Sequence, residues 1–249
     1  MKIKSTVAAL SAAVAVAGTL ALVSTSAQAA DCKHKVGSIL SLTGSYGAYG
    51  VPISKAAQMG VEQVNAARAA VGVGCDLTYD VRDSQTQASV AIDAATKMID
   101  IEGVTALVGP ISSGITAPLL SSVTVEKGVV LIATASTSPT FTKMGREGKT
   151  KGLFFRTLPA DTLQAVATAK LAWDVGIRKP AIIYLNNDWG KNNQAEFTAA
   201  FEAQGGKVVA AVAFNADQPS YRSEINKALK GGPDSLYLVS QPQDGTKQI

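Results

Sequence analysis

A regular alternation of glycine-ended helical segments and apolar runs is the sequence feature that most constrains the fold. A glycine just past a helix end supplies the left-handed conformation that closes the helix, and an apolar run soon after it predicts a buried strand. Strands that alternate with amphipathic helices build βαβ units around parallel sheets. The pattern therefore predicts an α/β fold. The glycines that end these segments are Gly103, Gly128, Gly176, Gly205 and Gly231.

The helical faces are predicted from the same periodicity. In the segment 161–175, Asp161 is a suitable residue to cap a helix, and apolar residues then recur at helical spacing. We expect the side chains of this stripe to pack against the sheet. They are Leu163, Val166, Ala167 and Leu171.

The first 29 residues carry the pattern of a secretory signal. Lys2 and Lys4 precede an apolar, alanine-rich stretch over residues 7–23, and Ala27-Gln28-Ala29 has the small residues of a cleavage site. The apolar run barely reaches the length that spans a bilayer, which favours a cleaved signal over a membrane anchor. We predict removal of residues 1–29 and a periplasmic location.

The rest of the chain divides into two groups of βα units. The first group occupies residues 30–157, the second residues 158–249, and we place a hinge near residues 156–160, after a polar, glycine-rich stretch. The segment after Pro242 begins like another helix, but no closing strand follows it. We therefore expect two α/β lobes, of which the second is C-terminally incomplete.

Charge and residue types exclude several classes of function. Without the signal, the chain has 21 basic and 19 acidic residues and no long basic block, so neither nucleic acid nor a membrane surface is a predicted partner. The single histidine, His34, stands between two lysines near the cleavage site. Histidine-based catalysis and metal sites are therefore not expected, and no cofactor is predicted. The chain is predicted to be non-enzymatic.

The two cysteines admit two interpretations. Cys32 and Cys75 each stand just before an apolar run that predicts a strand. If the two strands are parallel neighbours, their starting ends lie close together, and a disulfide is plausible in an oxidising compartment. Two isolated buried thiols are the alternative.

The stretch 104–116 combines a strand, a break and a helix start. The apolar run 104–108 ends at Gly109-Pro110, and Ser112 and Ser113 stand where the next helix begins. Hydroxyls and free amides at the carboxyl end of a parallel strand form a site for a small anion. No lysine or arginine lies in this loop, so a carboxylate suits it better than a phosphate. The alternative is that these serines only cap the helix.

Two further strand ends are polar. Residues 44–50 read Gly-Ser-Tyr-Gly-Ala-Tyr-Gly, a spacing that differs from the dinucleotide-binding loop, so no nucleotide is predicted. This loop could instead bring Tyr46 or Tyr49 over a pocket. The loop 134–139 offers hydroxyls, and the second group of units offers residues 186–190 and 240–241. Because ligands bind outside the carboxyl ends of parallel strands, these loops predict a small-ligand cleft between the lobes.

Four loops together resemble the type I periplasmic binding proteins that serve ABC importers of branched-chain and related amino acids. The resemblance rests on four stretches, which appear in the same order along the chain and together specify the family. They are Leu42-Thr-Gly-Ser-Tyr-Gly-Ala-Tyr-Gly50, Gly109-Pro-Ile-Ser-Ser-Gly114, Thr134-Ala-Ser-Thr-Ser-Pro139 and Asn187-Asp-Trp-Gly190.

The resemblance implies a Rossmann-like fold of two lobes that close on a ligand, and it implies a role for several residues. A ligand carboxylate would be held by Ser112 and Thr137, and a ligand amine in part by the carbonyl of Ala135. Tyr49 and Trp189 would cover the ligand. The complete predicted ligand-binding set is Tyr49, Ser112, Ser113, Ala135, Ser136, Thr137, Trp189 and Gln241.

The function implied is capture of a small amino acid, or a related carboxylate or amide, for an ABC importer. The expected partners are this ligand and the membrane permease. Two alternatives remain open: an exported enzyme that uses carboxylates in the same cleft, and the ligand-binding domain of a sensor or receptor.

Overall fold

The computed structural model describes residues 34–72 and 76–249. Most of its strands are short and mainly apolar, as expected for strands that are covered by helices. They are β1 His34–Leu40, β2 Leu77–Asp83, β3 Ala106–Val108, β4 Val130–Ala133, β5 Phe154–Arg156, β6 Pro180–Leu185, β7 Ala210–Phe214 and β8 Ser235–Val239.

Helices follow the strands along the chain. The helix that begins at Ser113 passes through a π-helical stretch, Leu120–Thr124, before its last turn. The α-helices are α1 Gly47–Ala70, α2 Ala88–Asp100, α3 Ser113–Leu119, α4 Val125–Lys127, α5 Thr140–Arg146, α6 Asp161–Asp174, α7 Asp188–Glu202, α8 Arg222–Leu229 and α9 Pro242–Gln248.

The strands form two parallel sheets. One has the order β2-β1-β3-β4-β5 and the other the order β7-β6-β8. We call the five-stranded sheet with its helices the first lobe, and the three-stranded sheet with its helices the second lobe. The predicted α/β fold of two lobes built from parallel βαβ units is confirmed. The boundary predicted between residues 157 and 158 falls between β5 and α6 and stays a prediction.

Each sheet is buried by the helices that pack on it. In the first lobe, Ile39, Leu107 and Leu131 from three neighbouring strands are fully buried beneath α2 and α3. In the second lobe, Ile182 of β6 packs with Phe197 of α7. Burying side chains of this size stabilises the fold by about 1.5–3 kcal/mol each, so both sheets are rigid platforms for the loops at their ends.

The predicted buried face of α6 is wrong. Leu163 and Leu171 are 66% and 63% exposed, whereas Ala165 and Ala169 are fully buried. The alanine face packs with the α7 residue Phe201 in the same core. The small alanine side chains let α6 approach α7 closely, and Phe201 of α7 fills the space between the two helices. The alanines therefore form the packed face of α6.

Glycine permits the same close approach in both lobes. A Cβ added at Gly50 would lie 1.8 Å from the carbonyl oxygen of Ser41, and one at Gly190 would lie 2.0 Å from that of Leu185. Each glycine therefore lets the first turn of a helix rest on the end of the preceding strand.

Several predictions concern residues outside the described ranges. The signal segment 1–29 and both cysteines, Cys32 and Cys75, lie there. The strands that follow these cysteines are parallel neighbours, with His34 opposite Leu77; the disulfide itself stays a prediction. Within residues 34–72 and 76–249, no helix is both long enough and apolar enough to cross a bilayer.

Candidate functional site

A cavity of about 300 Å³ lies between the carboxyl ends of the two sheets. Its volume is at the lower end of the range for small-ligand sites. Both lobes contribute to its wall, which carries hydroxyl groups and apolar side chains and, among the described residues, no charged side chain. The lining residues are Tyr46, Tyr49, Ile53, Ile111, Ser112, Ser113, Ala135, Trp189, Ser240 and Pro242.

Five of the eight predicted ligand-binding residues meet at this cavity, from four loops. They are Tyr49, Ser112, Ser113, Ala135 and Trp189. The other three, Ser136, Thr137 and Gln241, are not among the residues that line the cavity.

Ser112 occupies the N-cap position of α3 in an extended conformation, with φ −81° and ψ 130°. Within the described part of the chain its side chain makes no capping hydrogen bond. The capping interpretation of Ser112 thus has no bond to support it, and its hydroxyl remains able to donate into the cavity that it lines.

Ser113 and Ser136 hold the two first-lobe loops against each other. The Ser136 and Thr116 hydroxyls are 2.6 Å apart, and Ser136 also donates to the carbonyl of Ile111 at 3.2 Å. The backbone amide of Ser138 donates to the Ser113 hydroxyl at 3.3 Å. Ser136 is fully buried, so its role in the structure is to fix the loops that carry Ser112 and Ala135.

Thr137 is tied to the start of α6 by two hydrogen bonds. Its hydroxyl donates to Asp161 Oδ2 at 2.9 Å, and the Asp161 amide donates to the Thr137 carbonyl at 2.9 Å. Asp161 is the first residue of α6, and Ala160, not Asp161, occupies the cap position. Burial raises the pKa of Asp161, while the bond from Thr137 and the charge of Arg156 oppose this.

Aromatic side chains stand at corresponding places in the two lobes. Tyr49 precedes Gly50 and Trp189 precedes Gly190, so the close approach of each glycine to its strand end sets an aromatic ring at the cavity. The Asn187 side chain accepts a hydrogen bond from the Gly190 amide at 2.8 Å and caps α7. This cap holds the turn that carries Trp189.

Tyr46 lies beside Tyr49, with 6.4 Å between the ring centroids. Burial raises the pKa of Tyr46 to about 12; a hydrogen bond with Gln241 opposes the rise, and the charges of Asp161 and Asp244 add to it. Tyr46 is therefore protonated at neutral pH and can donate a hydrogen bond. Gln241 itself is buried and is not among the residues that line the cavity.

Direct contacts between the lobes flank the cavity. The Thr140 hydroxyl donates to Asp188 Oδ1 at 3.0 Å, and Asn192 Nδ2 donates to the Thr140 hydroxyl at 3.2 Å. On another side, the Ser45 hydroxyl donates to the carboxylate of Asp217. The cavity is thus bounded by polar contacts from one lobe to the other.

Ser240 lies in the wall, at the strand end 240–241 that the sequence offered as part of the cleft. Sequence reasoning missed Ile53, Ile111 and Pro242. One signal could have found Ile53: it follows Tyr46 and Tyr49 at the helical spacing of seven and four residues. Ile111 and Pro242 needed the relative placement of the loops. Among the described residues, no group of three or more His, Cys, Asp or Glu side chains could hold a metal ion.

Comparison with known proteins agrees with this architecture. Residues 33–249 match the family model described as periplasmic binding protein. A substrate-binding protein of a chemotactic signal transduction system, BasB from Halobacterium salinarum, is 27% identical over 83% of this chain and 50% of its own length. The Leu/Ile/Val-binding protein BraC3 from Rhizobium johnstonii is 29% identical over 68% of this chain and 44% of its own.

A solved structure has the same fold. It is the branched-chain amino acid transporter substrate-binding protein LivJ from Streptococcus pneumoniae, in complex with isoleucine, with 24% identity and a TM-score of 0.68 over 83% of this chain and 55% of that one. The chain spans about half the length of the curated relatives it matches.

Proposed function

Because the chain belongs to the periplasmic binding protein family, we propose that it is an extracytoplasmic solute-binding protein that captures a small amino acid, or a related carboxylate or amide, between its two lobes. The observation that carries the proposal is the cavity at the facing ends of the two sheets. It is small, it receives residues from both lobes, and hydroxyls and apolar side chains line it together.

The chemistry of the wall supports a ligand with one polar end and one apolar part. Ser112 and Tyr46 supply hydroxyl donors that suit a carboxylate. Ile53, Ile111 and Trp189 offer apolar surface for a hydrocarbon or aromatic part. Charged hydrogen bonds to a carboxylate are worth about 1.5–3 kcal/mol each, so a few of them give a small ligand useful affinity.

We further propose that the site binds its ligand without changing it. The lining contains no histidine and, within the described ranges, no acid or base side chain that could move a proton at the ligand. The exported-enzyme alternative would need such a group in contact with the ligand.

We propose that the protein works in the periplasm and delivers its ligand to the membrane permease of an ABC importer. The name of the relative from Rhizobium, a Leu/Ile/Val-binding protein, supports this use. The relative from Halobacterium is named for chemotactic signalling, so delivery to a receptor is a second candidate.

Calorimetric titration of the full-length protein with branched-chain amino acids, their amides and aromatic acids tests the proposal. We expect one-to-one binding of at least one member of this panel, and recovery of the bound compound unchanged after long incubation. Turnover of the compound would overturn the binding-only function. Absence of binding across the panel would overturn the proposed ligand class.

A further inference from the structure

A second cavity lies between the lobes, next to the contact that Thr140 makes with α7. Its volume is about 610 Å³, against about 300 Å³ for the candidate ligand cavity, and it shares no lining residue with that cavity among the described residues. Residues of α5 in the first lobe and of α7 in the second line it. We call this cavity the α5–α7 groove.

The charges in the α5–α7 groove are separated by lobe. Lys143 and Arg146 line it from the first lobe, and Glu196 lines it from the second. Within the described part of the chain, none of these three side chains forms an ion pair. Opposite charges therefore stand on the two sides of the groove without being joined.

Two other acids near Lys143 are bonded elsewhere. Glu147, at the end of the same helix, pairs with Lys149 at 2.7 Å. Asp188 accepts a hydrogen bond from the Thr140 hydroxyl through Oδ1, and its Oδ2 is buried. The acid that remains for Lys143 is the one across the groove.

Helical spacing makes Lys143 and Glu196 the next facing pair after the observed contact. Asn192 Nδ2 donates to the Thr140 hydroxyl at 3.2 Å. Lys143 lies three residues after Thr140 on α5, and Glu196 lies four residues after Asn192 on α7. Residues three or four apart share a helix face. The two faces that touch at Thr140 and Asn192 therefore carry a cation and an acid one turn further on.

We propose that Lys143 and Glu196 form a second contact between the lobes, an ion pair across the α5–α7 groove, and that this pair slows the release of a bound ligand. The pair adds to the hydrogen bonds that already join α5 to α7. Because the candidate ligand cavity lies between the same two lobes, a contact that holds the lobes together also holds the ligand. The effect on release rests on the proposed function, whereas the pair itself does not.

The pair should be sensitive to salt, because both side chains reach solvent. Lys143 is exposed and Glu196 is half-buried. Mobile ions screen charges that are separated by more than about 8 Å at physiological ionic strength. Exposed ion pairs change an equilibrium by up to about fivefold. We therefore expect an effect of this size, which shrinks as salt is added.

Carbodiimide cross-linking tests the pair directly, because it joins a lysine amine to a carboxylate only where the two are in contact. In the full-length protein we expect mass spectrometry to find a cross-link between Lys143 and Glu196. Its yield should rise with saturating L-leucine and fall in about 1 M sodium chloride, where the screening length is about 3 Å. The internal control is the observed ion pair of Lys127 and Asp100, at 2.8 Å within the first lobe. Its cross-link should not depend on L-leucine.

Charge reversal tests the effect on release. Lys143→Glu and Glu196→Lys each place like charges on the two sides of the groove, so we expect each to speed the release of L-leucine about fivefold. The double variant restores opposite charges and should release L-leucine at close to the wild-type rate. The matched control is Lys170→Glu, which makes the same charge change on α6, where Lys170 pairs with Asp174. The control should leave the release rate unchanged.

Each outcome decides a separate claim. A missing cross-link between Lys143 and Glu196, in a sample where the control cross-link forms, overturns the inference. So does a double variant that releases L-leucine as fast as the single variants do. A protein that binds no L-leucine counts against the proposed ligand class rather than against the pair. In that case the cross-link yield without ligand, at low and high salt, decides whether the pair forms.

Discussion

The Ser45 hydroxyl donates to the carboxylate of Asp217, with 3.0 Å to Oδ1 and 3.1 Å to Oδ2, and so joins the two lobes beside the cavity. Ser45 is 5% exposed and directly precedes the cavity residue Tyr46. The Asp217 amide in turn donates to the buried Asp244, which also accepts from the Tyr221 hydroxyl. The contact is therefore anchored in the second lobe by a buried polar network.

Removal of this contact should speed ligand release. A net hydrogen bond is worth about 1 kcal/mol, so we expect Ser45→Ala to raise the dissociation rate of a bound amino acid about fivefold. Stopped-flow measurement of ligand release gives this rate. The control is Ser220→Ala, an exposed serine on the same loop as Asp217 whose hydroxyl accepts a hydrogen bond from the nearby Arg222 amide. Equal release rates in both variants would show that the Ser45 contact does not hold the ligand in.

Ser112 should matter for the ligand more than for the fold. In Ser112→Ala the cavity loses a hydroxyl donor to a carboxylate, so we expect about tenfold to a hundredfold weaker binding, from a charged bond of about 1.5–3 kcal/mol. The thermal midpoint should hold, because no capping bond is lost.

The comparison for Ser112 is Asn187→Ala, which removes an observed cap and should cost about 1 kcal/mol of unfolding free energy. Denaturation and calorimetry of both variants separate the two effects. A Ser112→Ala protein that unfolds more easily yet binds ligand as before would show that Ser112 caps the helix and does not bind the ligand.

Gly190 should tolerate no side chain. A Cβ there would lie 2.0 Å from the Leu185 carbonyl oxygen, so α7 would have to move off the end of β6. We expect Gly190→Ala to lower the free energy of unfolding by about 3 kcal/mol, at the upper end for overpacking. The control is Gly60→Ala in α1, where nothing lies within 4 Å of the added Cβ; it should be neutral or stabilise the helix by about 0.5–1 kcal/mol. Urea denaturation measures both, and similar stabilities would contradict the close approach.

Asp83 should make stability fall in acid. Burial tends to raise the pKa of Asp83, but hydrogen bonds from Thr43, Gln85 and Leu42 together hold it below its ordinary value. A carboxyl with a lowered folded-state pKa stabilises the fold above its unfolded pKa of about 3.9, and this stabilisation is lost as pH falls through the lower, folded-state value.

In Asp83→Asn we therefore expect a loss of stability at neutral pH that shrinks as pH falls from about 5 toward 3 and below. Urea midpoints measured across this range, beside those of the exposed-site variant Glu126→Gln, check the expectation. A loss of the same size at every pH would show that charge on Asp83 has no part in holding the loop after β1.

The local organisation of the chain was predictable because it follows from local rules. Glycine-ended helices and apolar runs placed the parallel strands, and the observed pairing of β3 with β4 puts Ser112 and Ala135 at adjacent strand ends. The buried face of α6 was not predictable in this way. Leu163 and Leu171 have the more apolar side chains, but Ala165 and Ala169 allow the closer contact with α7, and that preference depends on the partner helix.

The sequence by itself determined the α/β alternation, the two groups of units and the loops that meet at the strand ends, because each of these depends on residues near one another in the chain. Only the tertiary structure decided which hydroxyls face the cavity. Ser136 and Thr137 look equivalent in sequence, yet one is bonded to Thr116 and the other to Asp161. Those partners lie 20 and 24 residues away, and Ser45 reaches a partner 172 residues along the chain. A hydroxyl donates its one proton in a single direction, and that direction is set by whichever acceptor the folded chain brings within reach.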